Sequence, residues 1–211
     1  MNITDEIKEA KIIPIIVLED AEDITPVCEA LRAGGLSIAE ITFRTPCARE
    51  ALSLARTNFP DFILGAGTVT KLDELGSCVD AGAQFAVSPG LNPSIVNSAR
   101  EIEFPFFPGV CTPTEVEKAL GLGCEVLKFF PAQALGGVKI LKAVYGPYKH
   151  RGIQFIPTGG INAENLESYI SLPGVLAVGG SWLTPKNLIK EKAWHKITEL
   201  TRQSLSIVKK I

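Results

Sequence analysis

Histidine is scarce in this chain. Two are present in 211 residues, His150 and His195, and both sit among polar neighbours. A zinc site of the usual histidine type has almost no material, so no metal is expected. The five cysteines (Cys28, Cys47, Cys78, Cys111, Cys124) are odd in number and none forms a Cys-x-x-Cys pair. They read as reduced thiols of a cytoplasmic protein. Cys47 and Cys111 follow strand-like runs but have no histidine near them in the chain, so they read as small packing residues rather than nucleophiles. An excess of positive charge is also missing. Lys and Arg total 21 against 23 Asp and Glu, a net charge of −2, which leaves no electrostatic footprint for nucleic acid. Long apolar runs are absent, so no membrane span is expected, and the opening MNITDEIKEA is acidic and helix-like, unlike a signal peptide. No linker or low-complexity segment divides the sequence. One domain over residues 1–211 is expected, with an N-terminal helix and a long C-terminal helical tail.

What is present is alternation. Apolar strand-like runs occur at Ile12–Leu18, Ile38–Arg44, Phe62–Val69, Phe85–Pro89, Phe106–Val110, around Lys128, Ile153–Pro157 and Val175–Val178. Amphipathic stretches separate them: about Asp20–Ala33, Pro46–Thr57, Lys71–Ala81, Pro93–Glu103, Pro113–Leu120, one from Gly136-Gly137 to about Tyr145, and one from Ala163. Strict β-α alternation implies parallel strands with right-handed crossovers. Eight such units predict an α/β fold, a closed (β/α)8 TIM barrel. The competing arrangement is an open doubly wound sheet, but the first strand-to-helix turn, Leu18-Glu19-Asp20, has no dinucleotide glycine fingerprint.

One lysine stands apart from the other thirteen. Lys128 lies inside an apolar run, Val126-Leu127-Lys128-Phe129-Phe130, that suits a buried strand. Such a lysine either snorkels to water or accepts desolvation. Desolvation disfavours an ammonium, and the neutral amine is a nucleophile that can form a Schiff base with a ketone.

Barrel active sites lie at the C-terminal ends of the strands. On the second strand Ile38, Glu40, Thr42 and Arg44 share one face, and Ala39, Ile41 and Phe43 the other. The apolar set suits the helix layer, so Glu40 points inward and Arg44, about 13 Å further along, reaches the rim. An inward Glu40 can face an inward Lys128 and exchange protons with it; a plain structural ion pair is the simpler possibility. Phe130 shares the face of Lys128 and would exclude water beside it, or be ordinary core. Thr68 ends the Leu64-Gly65-Ala66-Gly67 run and shares parity with Leu64 and Ala66; it borders a ligand or caps the next helix. Thr158-Gly159-Gly160 and Gly179-Gly180-Ser181 follow the seventh and eighth strands, where barrels build phosphate sites from backbone N–H groups. Glycine pairs also serve as simple turns. Ser88-Pro89-Gly90 and Pro108-Gly109-Val110 form narrow rims after the fourth and fifth strands. Trp182, Leu183, Trp194 and Leu200 are expected to pack a C-terminal helix on the barrel or on another subunit.

The residues alone leave three readings open. One is a Schiff-base aldolase. A second is a phosphate-binding barrel isomerase or synthase that uses Glu40 as base and Lys128 as an electrostatic group. A third is a non-catalytic barrel that binds a sugar phosphate.

The segments Glu40–Thr45, Gly65–Val69, Ser88–Gly90, Pro108–Val110, Lys128–Ala132, Pro157–Ile161 and Gly179–Trp182 together resemble the class I KDPG/KHG aldolase family, in order and from end to end. The resemblance implies that Lys128 forms a Schiff base and that Glu40 is the general acid and base. It implies that Arg44, Thr68 and Pro89 border the pyruvate end, with Arg44 on its carboxylate. Phe130 would line the site, with Thr158 and Ser181 at the distal end beside their glycines. It further implies a phosphorylated keto acid as substrate, no cofactor and a homotrimer. Relatives split 2-keto-3-deoxy-6-phosphogluconate, 4-hydroxy-2-oxoglutarate or the galactonate epimer, which differ at C4 or in the distal group.

Overall fold

The structure is a computed structural model and describes residues 2–210. Strands β1 (Ile12–Ile16), β2 (Ile38–Thr42), β3 (Ile63–Gly67), β4 (Phe85–Val87) and β5 (Phe106–Phe107) run parallel in consecutive order. β6 (Gly109–Val110), β7 (Val126–Phe129) and β8 (Gln154–Pro157) continue it, and β9 (Val178–Gly180) pairs with β1. Bridges Phe155↔Val175 and Thr158↔Gly179 join β8 to the last strand and close the ring. The expected eight-stranded barrel is therefore present, with β5 and β6 as two halves of one strand. Pro108 causes the break: it has no N–H for the ladder, though its carbonyl still accepts from Lys128 N at 3.0 Å.

Boundaries differ from the sequence expectation at several strand ends. The last strand lies at Val178–Gly180 rather than Val175–Val178, because two glycines suit a position where β1 and β8 crowd from both sides. Helices α1 (Ile3–Ala10), α2 (Ile24–Gly34), α3 (Ala48–Asn58), α4 (Leu72–Asp80), α5 (Pro93–Glu101), α6 (Pro113–Gly121) and α7 (Gly137–Tyr148) surround the sheet. α8 (Leu166–Ile170) begins later than the expected Ala163. Trp182 and Leu183 precede α9 (Lys186–Lys190) rather than lying in the final helix, α10 (Trp194–Val208). α10 packs on α2, with Thr198 Oγ1 donating to Ala30 O at 3.0 Å and Thr201 filling the space over Gly34. None of the described helices is long and apolar enough to cross a membrane.

The strand registers fix what points inward. Ile15, Glu40, Gly65 and Phe85 are successive ladder partners, so they share one inner layer. Gly65 leaves room for the Phe85 ring, which a Cβ at that position would overlap. Aromatic bulk thus fills the barrel in the layer of Glu40, on the side of β3 and β4.

Candidate active site

Lys128 and Glu40 meet inside the barrel. Their strands, β7 and β2, are the sixth and second of eight, so the two side chains approach from opposite walls. Lys128 Nζ donates to Glu40 Oε1 at 3.2 Å. Among the described residues these are the two buried charged side chains, at 6% and 2% exposure. Ion pairs are worth most and cost most in such a place: each charge has lost its water and depends on the other. Strand parity explains the meeting. Glu40 and Thr42 point inward from β2, and Thr42 Oγ1 is anchored on Ile16 O at 3.1 Å. Phe129, one residue from the lysine, faces the helix layer and packs edge-on against Phe155.

The other predicted residues gather at the same end of the barrel. Phe130 lies just past β7, half-buried, with its ring centroid 5.8 Å from Lys128 Nζ. Arg44 lies two residues past the end of β2 and is exposed. Thr68 follows β3 at once, but the parity expected for it does not apply. β3 ends at Gly67, and Thr68 takes a left-handed backbone with φ +62°, so strand alternation no longer sets its direction. Nor does it cap α4, whose first residues are tied by Glu74 to the N–H groups of Thr70 and Lys71. A β-branched residue in that conformation stores strain of about 1–3 kcal/mol. Pro89 is exposed beside Ser88, whose hydroxyl donates to Gly90 O at 2.6 Å. Gly109 lets β6 approach this rim, since a Cβ there would overlap the Pro89 carbonyl.

The glycine turns are close neighbours. Thr158 is buried and bridges to Gly179, whose missing side chain leaves room for the Thr158 hydroxyl. Gly159 and Gly160 have φ of +101° and +75°, and Ser181 is exposed after Gly180. Two residues outside the sequence expectation brace this turn. Gln133 N donates to Gly159 O at 2.9 Å, and the Gln133 side-chain carbonyl accepts from Tyr169 Oη at 2.9 Å. Burial raises the Tyr169 hydroxyl above its ordinary pKa, keeping it a donor. Nothing local marks this pair, because its members lie on different β-α units. A groove of about 320 Å³ opens at the same end between β1 and α9, lined by Val17, Glu19, Asp23, Lys186 and Lys190, but it includes neither Lys128 nor Glu40. Among the described residues no three His, Cys, Asp or Glu side chains converge as metal ligands.

Known proteins match this chain along nearly its whole length. The model of the KDPG and KHG aldolase family covers residues 3–200. This chain belongs to that family. It is 44% identical over 208 residues to the 2-dehydro-3-deoxy-phosphogluconate aldolase of Haemophilus influenzae, covering 99% of this chain and 97% of that one. It is 40% identical over 194 residues to the KHG/KDPG aldolase of Escherichia coli K12, covering 92% and 90%. Among solved structures, a KDPG aldolase from Legionella pneumophila superposes with a TM-score of 0.91 at 42% identity, covering 96% and 97%. In that crystal, pyruvate was captured at low pH as a covalent carbinolamine. The chain is thus an aldolase, a carbon–carbon lyase.

Proposed function

We propose that the enzyme cleaves 2-keto-3-deoxy-6-phosphogluconate to pyruvate and glyceraldehyde 3-phosphate through a Schiff base on Lys128, and that the same site splits 4-hydroxy-2-oxoglutarate to pyruvate and glyoxylate. The observation that carries this reading is the buried Lys128–Glu40 contact of 3.2 Å at the barrel mouth. A carbinolamine is the adduct of an amine with a ketone carbonyl, and Lys128 is the amine that the barrel walls shield from water.

The reaction begins with the neutral amine of Lys128 attacking C2. Glu40, directly or through a water, carries the protons of carbinolamine formation and dehydration. The resulting protonated imine is an electron sink next to C3, so this route needs no metal or cofactor. Glu40, or a water it orients, takes the proton from the C4 hydroxyl. The C3–C4 bond breaks, the aldehyde leaves, and the bonding pair moves to C3 as an enamine. Protonation at C3 and hydrolysis of the imine release pyruvate and restore the amine. Arg44 supplies a two-pronged clamp for the C1 carboxylate. Thr68 and Pro89 border the pyruvate end, and Phe130 keeps water from the lysine. Thr158, Gly159, Gly160, Gly179, Gly180 and Ser181 hold the distal phosphate with N–H and hydroxyl donors. On the same reading the enzyme is a cytoplasmic homotrimer; its five free thiols suit a reducing compartment, and sedimentation tests the trimer.

The test is borohydride reduction in the presence of pyruvate, followed by intact mass and peptide mapping. A reduced pyruvyl adduct on Lys128 is expected in the wild type and none in Lys128→Ala. Glu40→Gln should still form the imine slowly while losing most turnover. An adduct on another lysine would overturn the site, and no adduct on folded enzyme would overturn the mechanism.

A further inference from the structure

Glu40 stands where it does because β3 presents no side chain beside it. Thr42 pairs with Gly67 in the β2–β3 ladder, so position 67 faces into the barrel next to Glu40. A Cβ built on Gly67 would overlap Glu40 Oε1 and lie 2.8 Å from its Cδ and 2.9 Å from its Cγ. Such distances are shorter than carbon atoms tolerate. The backbone gives no other reason for glycine here, since Gly67 is not among the residues with positive φ. Glycine within a strand is otherwise unfavourable, lacking a side chain to pack, and commonly marks a close approach.

The oxygen that a side chain at 67 would displace is the one that accepts from Lys128 Nζ. We infer that Gly67 is a positioning residue: its missing side chain sets the distance between the proton-carrying oxygen of Glu40 and the amine of Lys128. Gly65, two residues earlier on the same inner face, is a useful contrast. A Cβ there would strike the Phe85 ring, so that glycine serves packing, whereas Gly67 serves the carboxylate. The inference rests on the reading of Glu40 as proton carrier. It goes beyond that reading by assigning the carboxylate's placement to a strand that supplies no reacting group.

Gly67→Ala is the direct test. The atoms it crowds belong to a side chain that can rotate, so the variant is expected to fold with the carboxylate turned off Lys128. Turnover should fall on the order of 10- to 100-fold, the scale of a misplaced acid–base group, with KM changed by less than about threefold. Glu40→Asp added to Gly67→Ala withdraws the carboxylate from the space the new methyl takes. The double variant should therefore lose less than the product of the two single losses, the mark of coupled neighbours. Wild-type turnover in Gly67→Ala, or losses that simply multiply, would overturn the inference. If Gly67→Ala is too unstable for kinetics, the coupling is read from thermal unfolding instead. Gly67→Ala combined with Glu40→Ala should then lose less Tm than the sum of the two single losses, and a strictly additive Tm loss would overturn the inference. Borohydride trapping with pyruvate is run in parallel on the wild type and on Gly67→Ala. An adduct on Lys128 in both keeps the imine reading and isolates the question of Glu40, while no Lys128 adduct in the wild type means that the underlying reading has failed.

Discussion

Lys128 Nζ reaches across the barrel axis to Glu40 Oε1 at 3.2 Å, and both side chains are almost wholly removed from solvent. Each charge therefore depends on the other for what water would have given. Removing one partner strands the other. Lys128→Met should lower the free energy of unfolding by about 3–5 kcal/mol at neutral pH. Replacing both, as Glu40→Met with Lys128→Met, should give an inactive barrel at least as stable as the wild type, since apolar groups of similar volume carry no desolvation penalty. Urea unfolding at pH 7 decides it. A double variant less stable than the wild type would mean that the pair is a net stabiliser of the fold.

Thr68 predicts a trade between stability and activity. It holds φ +62° with a β-branched side chain, immediately after β3 and at the mouth. Glycine adopts that backbone freely. Thr68→Gly should relieve about 1 kcal/mol of strain, partly offset by the greater freedom of the unfolded chain. On the proposed role at the pyruvate end, kcat/KM should fall on the order of tenfold as Tm holds or rises. A lower Tm with unchanged kinetics would show that the threonine is structural.

Arg44 makes no ion pair among the described residues and is exposed at the rim. Its guanidinium is free to meet a carboxylate. Arg44→Lys keeps the charge but loses the planar fork. In the condensation direction KM for pyruvate should rise about tenfold, with kcat less affected. An unchanged KM would place the carboxylate elsewhere.

The legible part of this protein is the part written in periodicity. Alternating β and α stretches give the barrel, and a period of two on the second strand separates Glu40 and Thr42 from Ala39 and Ile41. The same rule turns Lys128 inward and Phe129 outward. Pairing Lys128 with Glu40 then requires the number of strands between them, which the order of units supplies. The rule fails where the backbone leaves the strand. Parity groups Thr68 with Leu64 and Ala66, but a left-handed residue at the strand end cancels it. The broken fifth strand depends on how one proline sits between two ladders. The contacts of Gly65 with Phe85, Gly109 with Pro89 and Gln133 with Tyr169 join residues from different β-α units. No local pattern carries such information, because a glycine in a strand says that something comes close without saying what.

The thiols offer a check that is independent of catalysis. Cys28 lies on the buried face of α2 and Cys78 on that of α4, and burial pushes both thiols up to about 12. Burial also raises Cys124, to about 11. Thiolate is the reactive form, so these three are protected twice, by lack of access and by lack of ionisation. Cys111 is partly exposed, but burial and the neighbouring Glu115 carboxylate raise its thiol as well. Cys47 is partly exposed, with Sγ 3.4 Å from Leu18 O. Iodoacetamide at pH 8 should therefore label the folded enzyme at Cys47 first and at Cys111 more slowly. Cys28, Cys78 and Cys124 should react only after urea unfolding. Peptide mapping over time separates the classes. Rapid native labelling of Cys28 would mean that α2 opens from the barrel far more readily than its packing on α10 implies, and would place the least stable part of the molecule between those two helices.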